Sequence, residues 1–141
     1  MRSGLLILAF LAGLVLASPA AHTQSPKLQD AAQRAQSLYS EGRYDEAVRV
    51  AQTAVRLSEQ EFGPEHLNTG AVLVILGSIY HAQGHFAEAE PLFKRSLAIG
   101  EKALGPEHPG LATTLTFLAA VYRGQGRVAE AEPLYERALA K

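Results

Sequence analysis

The sequence predicts an all-α protein built as a stack of about three helix–turn–helix units, and three observations support this fold class. The chain repeats itself every 42 residues without gaps, so that Gly42, Gly84 and Gly126 fall in step. The loop Gly-Pro-Glu-His at 63–66 recurs at 105–108. Apolar and small residues follow helical spacing inside each unit. A fixed period of this length is typical of an α-solenoid, in which each unit buries its apolar face only against its neighbours.

The N-terminal 20 residues are predicted to be a secretory signal peptide. Arg2 precedes an apolar run at 5–17, and small residues follow it. The run is shorter than the ~20 residues that a membrane-spanning helix needs. We therefore expect cleavage after Ala20 and export from the cytoplasm, with membrane contact only if the segment stays uncleaved. Residues 21–27 contain a proline and are mostly polar, which predicts a flexible leader.

Composition excludes several function classes. The chain contains no cysteine, which rules out a disulfide scaffold and a thiol catalyst. Without residues 1–20 it holds 12 basic and 14 acidic residues. Nucleic acid would require a clustered basic face, and anionic lipid would require a polybasic patch; the sequence has neither.

Each repeat is predicted to contain two helices, the repeats covering about 28–67, 68–109 and 110–141. In the second repeat Asn68 is the predicted N-cap of the first helix, and Gly84 and Gly105 are predicted to end the two helices. The inner stripes of the second and third repeats consist of Leu73, Leu76, Gly77, Tyr80, Ala89, Phe93, Ser96, Leu97, Leu115, Leu118, Ala119, Tyr122, Ala131, Tyr135, Ala138 and Leu139. The first repeat places Ala31, Arg34, Ala35 and Leu38 there, a thinner apolar face that suits an end repeat.

A small residue, an aromatic residue three positions later, glycine, another aromatic residue and Glu-Ala recur in this order. The second repeat carries them as Gly77, Tyr80, Gly84, Phe86, Glu88, Ala89 and Phe93. This pattern resembles the tetratricopeptide repeat, and the 42-residue length resembles the variant of kinesin light chains and many bacterial proteins. The resemblance covers 28–141. It implies a right-handed superhelix whose first helices line a concave groove that binds a peptide or helix of a partner protein, without a cofactor. Together with the style of the predicted signal peptide, the resemblance suggests a bacterial origin, and the signal peptide then predicts a periplasmic or extracellular location.

The groove residues are predicted to lie opposite the packing stripe of each first helix. By helical spacing the predicted partner-binding set is Gln33, Gln36, Tyr39, Val74, Ile75, Ser78, His81, Thr116, Phe117 and Arg123. The family variant often has asparagines where this chain has Val74 with Ile75 and Thr116 with Phe117. An apolar floor with a polar rim would suit an amphipathic helix or a hydrophobic peptide. The alternative interpretation is that Val74, Ile75 and Phe117 complete the core between repeats.

No catalytic or metal constellation is visible, so we expect a protein that is not an enzyme and binds no metal. His81 and His85 are four residues apart, but Gly84 separates them. His66 and His108 belong to the repeated loop and are predicted to pack there. The carboxylates at the starts of the second helices are predicted to be solvated: Glu88, Glu90, Glu130 and Glu132.

Two further hypotheses follow from the third repeat, which reaches only Lys141. The chain would be the N-terminal portion of a larger protein with a downstream catalytic domain, which a reading frame continuing past Lys141 would support. Alternatively, it would self-associate through the last helix, where Leu134, Tyr135 and Leu139 are expected to be partly uncovered.

Overall fold

The computed structural model describes residues 25–140, which form three antiparallel helix pairs. The helices are α1 (Pro26–Ser40), α2 (Tyr44–Phe62), α3 (Leu67–Ala82), α4 (Phe86–Leu104), α5 (Ala112–Gly124) and α6 (Val128–Leu139), with a 3₁₀ turn at Pro109–Leu111 before α5. Consecutive helices pack on each other along the whole array. The predicted all-α repeat fold is therefore confirmed. The predicted signal peptide lies outside the described residues, and so does most of the leader; within 25–140 no helix combines the length and the apolarity that a membrane span requires.

Three glycines shape the turns inside the pairs, as predicted. Gly42, Gly84 and Gly126 have φ values of +76°, +74° and +77°, a left-handed conformation that glycine adopts without steric cost. The residue after each glycine donates its N–H to a carbonyl five positions earlier. These bonds run from Arg43 to Leu38 at 2.9 Å, from His85 to Tyr80 at 2.8 Å and from Arg127 to Tyr122 at 2.8 Å.

The start of α3 differs from the prediction. Asn68 is not the N-cap: it lies inside the helix and is 2% exposed. His66 caps the helix instead, because its Nδ1 accepts the N–H of Asn68 at 3.0 Å while its ring stacks on Phe62. His108 repeats this contact with the N–H of Gly110 at 2.9 Å. The loop histidines therefore supply the acceptor that a helix N-terminus lacks.

The core follows the predicted stripes with one exception at each end. Leu73, Leu76, Phe93 and their equivalents in the third repeat are buried or half-buried, in two clusters that run along the helix pairs. Arg34, which takes the place of Leu76 in α1, is exposed. Leu139 of α6 is 87% exposed. The outer surfaces of the first and last helices thus meet solvent in this structure.

A repeated arginine contact links neighbouring pairs. Arg95 donates to the Glu59 carboxylate at 3.1 Å and to the Pro64 carbonyl at 3.0 Å. Forty-two residues later, Arg137 makes the same two bonds to Glu101 and Pro106, both at 2.9 Å. Each arginine therefore joins the second helix of one repeat to the second helix and the loop of the repeat before it, which suits the forked guanidinium group.

The two interfaces between repeats are built with different chemistry at one equivalent position. Between α2 and α3 the Ser58 hydroxyl lies 2.9 Å from the Thr69 hydroxyl, which donates to the Gly63 carbonyl at 2.7 Å. Between α4 and the 3₁₀ turn the equivalent residues are Gly100 and Leu111. A Cβ added at Gly100 would lie 2.6 Å from Leu111 Cδ2, so the leucine occupies the space that the glycine leaves.

Glu90 also departs from the prediction, since it is not a solvated helix start. Its side chain is 19% exposed and forms ion pairs with Lys94, at 3.0 Å, and with Arg127 of the next repeat. Burial acts to raise the pKa of the Glu90 carboxyl group, but the hydrogen bonds from Lys94 and Arg127 outweigh it and hold that pKa below its ordinary value. Glu90 thus joins α4 to the turn before α6.

Candidate functional site: the groove lined by the first helices

The first helices of the three pairs lie side by side. α1 contacts α3, and α3 contacts α5, while α2, α4 and α6 form the second layer. Residues on α1, α3 and α5 that point away from the second layer therefore share one surface across the array. This surface is the groove to which the sequence assigns its ten partner-binding residues.

None of the ten predicted groove residues is buried. Gln33, Tyr39, Thr116 and Arg123 are exposed. The other six are partly buried: Gln36, Val74, Ile75, Ser78, His81 and Phe117. The structure thus leaves all ten partly or fully accessible to a ligand, and their role in binding stays a prediction.

The apolar floor of the groove has a double role. Ile75 packs against the core cluster of the first two repeats, whereas Val74 and Phe117 pack against the cluster of the second and third. The Phe117 ring also stacks on Phe93, with centroids 5.2 Å apart and planes 6° apart. These side chains contribute to the contacts between repeats and still keep an accessible edge.

His81 belongs to an aromatic cluster that the sequence did not reveal. Its ring lies 5.6 Å from the Phe86 ring and 6.4 Å from the Phe117 ring, measured between centroids. Helical periodicity on α3 alone could not show this, because Phe86 lies beyond the turn and Phe117 one repeat further. A Cβ added at Gly124 would collide with the Phe86 ring, which shows that position 86 contacts the next repeat.

The polar rim follows the 42-residue period. Tyr39, His81 and Arg123 occupy equivalent positions near the C-terminal ends of α1, α3 and α5. The hydroxyls of Ser78 and Thr116 donate to carbonyls of their own helices, each at 2.8 Å. Their oxygen lone pairs remain able to accept from a ligand. The groove therefore offers hydroxyl acceptors, one guanidinium group and an apolar floor.

Metal chemistry finds no support in the part of the chain that the structure describes. Within residues 25–140, no group of three or more histidine, aspartate or glutamate side chains is arranged to hold a metal ion. The imidazoles of His66 and His108 already accept backbone N–H groups.

Comparison with known families decides the assignment of the repeats. A family model of the tetratricopeptide repeat matches residues 28–102 and 76–141. The chain belongs to the tetratricopeptide repeat family. Tetratricopeptide repeat domains generally bind other proteins and are typically non-catalytic. No curated protein matches the sequence.

Solved tetratricopeptide repeat structures share this architecture. One structure of putative kinesin light chain repeats from Podosopora anserina is 30% identical, with a TM-score of 0.74 over 84% of this chain and 57% of its own. The domain of Arabidopsis FLU has a TM-score of 0.74 at 18% identity over 84% of this chain and 96% of its own. BtubC from P. vanneervenii has a TM-score of 0.75 at 19% identity over 98% of this chain and 55% of its own. The likeness to the Podosopora anserina repeats confirms the resemblance to kinesin-light-chain-type repeats, and the other two structures show the shared fold.

Proposed function

We propose that this chain is a non-enzymatic interaction module that binds a peptide or helical segment of a partner protein in the groove. The observation that carries the proposal is the accessibility of the whole predicted groove surface. None of its ten residues is buried, although they lie on helices whose opposite faces form the core. A surface that runs across three repeats suits an extended or helical segment better than a small molecule.

The proposed ligand is an amphipathic helix or a hydrophobic peptide with an acidic edge. Val74, Ile75 and Phe117 offer apolar contact area, on which a few apolar anchors would provide most of the binding energy. Arg123 is exposed and would pair with a carboxylate of the ligand. The groove lacks the asparagines that the family variant often has at the positions of Val74 with Ile75 and of Thr116 with Phe117. We therefore expect it to recognise the side chains of the ligand more than the ligand backbone.

The proposed function can be tested by selecting binding peptides from a helical peptide library with the purified protein. We expect selected peptides to carry apolar residues at helical spacing, and to lose about tenfold or more in affinity when Arg123 is replaced by glutamate, since one charge-assisted contact is worth ~1.5–3 kcal/mol. Thr116→Arg, which places a bulky cation on the same surface, should also weaken binding. Both residues are exposed, so the variants should fold.

The matched control is Arg49→Glu, which makes the same charge change at an exposed position of α2, in the second layer. Affinities should not change in this variant. Peptides that bind all three variants equally well would show that the groove is not the binding surface.

We further propose that the protein is exported, to the periplasm or the extracellular space, with residues 1–20 removed. The support is the charged start, the short apolar run and the small residues that follow it. Intact-mass analysis of protein expressed in a bacterial host should show a mature chain that begins at Ala21 in the envelope fraction or medium. A full-length chain retained in the cytoplasm would contradict export.

A further inference from the structure

One position in the turn inside each helix pair holds arginine in the first and third repeats and histidine in the second. Arg43, His85 and Arg127 are 42 residues apart and directly precede α2, α4 and α6. Their backbones have almost the same conformation, with φ between −85° and −90° and ψ between 60° and 67°. The three side chains therefore leave the backbone in the same direction relative to their turns.

Each arginine donates to the side chain two residues before it and to the glutamate three residues after it. In the third repeat Arg127 bonds Gln125 Oε1 at 2.9 Å and the Glu130 carboxylate at 2.6 Å. In the first repeat Arg43 bonds the residues at the equivalent positions at 3.1 Å and 2.7 Å. The carboxylate also offsets the unfavourable field that a cation meets at a helix N-terminus. The cation thus joins the turn to the first turn of the second helix.

The second repeat keeps both acceptors but has no arginine between them. Gln83 and Glu88 stand at the two equivalent positions. The Gln83 amide donates to Asp45 of α2 at 2.8 Å, whereas its Oε1 atom is buried and has no hydrogen-bond partner among the described residues. Glu88 is exposed and forms no ion pair in the part of the chain that the structure describes. A buried carbonyl oxygen without a donor costs free energy, so this turn would be stabilised by one.

His85 is the side chain that occupies the place of the arginine. It is exposed, and its ring lies beside Tyr80 with centroids 6.3 Å apart, as Arg127 lies over the tyrosine of its own repeat. A neutral imidazole has one N–H group, whereas an imidazolium has two and carries a positive charge. Only the protonated ring can therefore donate to the Gln83 carbonyl and to the Glu88 carboxylate at once.

The titratable groups around this turn come from all three helices that meet there. Glu88 on α4 and Asp45 on α2 are carboxylates, and both favour a positive charge on the imidazole between them. The end of α3 contributes Tyr80 and His81. The His81 ring packs against the Phe86 ring on the groove side, with centroids 5.6 Å apart. The charges of the surroundings therefore resemble those that hold the arginines in the other two repeats.

We propose that His85 is a pH-sensitive link between α3 and α4. When the imidazole takes a proton from solvent, it donates one N–H to Gln83 Oε1 and the other to the Glu88 carboxylate. It then makes the contacts that arginine makes permanently in the first and third repeats. Because free histidine titrates near ~6.5, the link forms in mildly acidic solution and is absent in mildly alkaline solution. This inference does not depend on what the groove binds.

The link should make part of the stability depend on pH in the direction opposite to that of a paired carboxylate. The folded protein offers the imidazolium two partners that the unfolded chain lacks, so protonation favours folding. The contribution is present below about pH 6 and is lost as the pH rises through the histidine range. Carboxylates such as Glu88 ordinarily titrate near ~4.3, so the acceptor stays ionised over this interval.

Urea denaturation of wild type and His85→Gln at about pH 5.5 and about pH 7.5, on either side of the ordinary histidine pKa, tests the link. At the lower pH the variant should have an unfolding constant about three- to tenfold larger than that of wild type, the size of one net hydrogen bond. At the higher pH the two constants should be nearly equal. Glu88→Gln should remove most of the acid-dependent difference between His85 and glutamine.

His85→Arg tests the same idea in the other direction. It supplies a permanent cation, so it should lower the unfolding constant about three- to tenfold at the higher pH and change it little at the lower pH. His85 is exposed, so both replacements should fold. The matched control is His81→Gln, which removes a histidine four residues earlier and should leave the acid-dependent difference intact.

Three results would overturn the proposal. The first is an effect of His85→Gln that is the same at both pH values. The second is a His85→Arg variant that is no more stable than wild type at the higher pH. The third is an acid-dependent difference that disappears in His81→Gln, because the proton would then act at the other histidine.

Discussion

At the scale of single residues, Gly77 shows how a missing side chain sets the distance between two helices. A Cβ added at this position would lie 2.8–3.1 Å from three atoms of the Phe93 ring, which is itself fully buried. Ala35 and Ala119 stand at the equivalent positions of α1 and α5 and are fully buried as well. The closest approach of paired helices therefore depends on one small side chain in each repeat.

Gly77→Ala is expected to destabilise the protein by ~1–3 kcal/mol, because the Phe93 ring, which is fully buried and stacked on Phe117, must shift to admit the added carbon. Gly70→Ala in the same helix is the control. Its added Cβ would meet Ile99 Cγ2 at 3.4 Å, an ordinary contact. Alanine also favours a helix interior by roughly 0.5–1 kcal/mol over glycine. Urea denaturation of both variants should give opposite signs; a Gly77→Ala variant as stable as the wild type would refute the steric argument.

Sequence reasoning worked well for glycines and poorly for helix starts. The turn glycines could be predicted because glycine is the residue that adopts a left-handed φ without steric cost. Asn68 was assigned as the N-cap because asparagine is a strong capping residue. His66 caps the helix instead, because its ring is held in place by stacking on Phe62. Local helix-capping propensity does not report such a contact.

At the scale of helices and their connections, the pair of Glu90 and Arg127 links the second and third repeats. Arg127 also bonds Glu130 and lies over the Tyr122 ring, with its Cζ 4.1 Å from the centroid. The sequence analysis predicts Glu90 to be solvated, because the sequence shows its position near the start of its own helix but not the side chain from the next repeat that lies beside it. The partner comes from the next turn, 37 residues further along the chain.

The Glu90 pairing is expected to make stability depend on pH. The Glu90 pKa is lower in the folded protein than in the unfolded chain, where glutamate titrates near ~4.3. Its contribution is therefore fully present above about pH 6 and is lost as the pH falls through the folded-state pKa. The stability difference between wild type and Glu90→Gln should be constant near neutral pH and shrink in acid.

The control for this measurement is Glu132→Gln, at the equivalent position of α6. Glu132 is exposed and forms no ion pair within the described residues, so its replacement should leave the pH profile of stability unchanged. Parallel profiles for wild type and Glu90→Gln from about pH 7 to pH 3, a range that spans the ordinary glutamate pKa, would contradict the proposed linkage.

At the scale of the whole molecule, the main helix contacts within residues 25–140 are those inside a repeat and between adjacent repeats. Six residues of α4 are buried, whereas in α6 only Ala131 is, among the residues that the structure describes. Stability should therefore fall toward α6, as expected when each repeat is stabilised by the neighbours it touches.

Hydrogen exchange followed by mass spectrometry should reveal this gradient. Amides of α6 are expected to exchange faster than amides of α4 under native conditions, because α4 packs against both α3 and α5, whereas α6 packs against α5 and touches α4 and its following loop through Arg137. Uniform protection across α3 to α6 would show instead that the array unfolds as one unit.

The fold could be predicted from the 42-residue period because the same pattern of packing residues and turn glycines recurs in the repeats. The groove could be located but not characterised in the same way. Val74, Ile75 and Phe117 fit both the groove interpretation and the core interpretation in part. They pack against the core clusters and also keep accessible edges. Whether a half-buried apolar residue serves a ligand depends on a partner that the chain does not encode.

The contrast between Ser58 with Thr69 and Gly100 with Leu111 has a consequence for how the repeats find their order during folding. Repeats that share one helix pattern could in principle dock in the wrong order, for example α5 on α2. That pairing would place the Leu111 side chain against the Ser58 hydroxyl, and Thr69 on Gly100 would lose its contact with Ser58 and face the space that Leu111 fills in the native order. Each error carries a steric or desolvation cost. This difference between the two interfaces therefore favours the native order of the repeats.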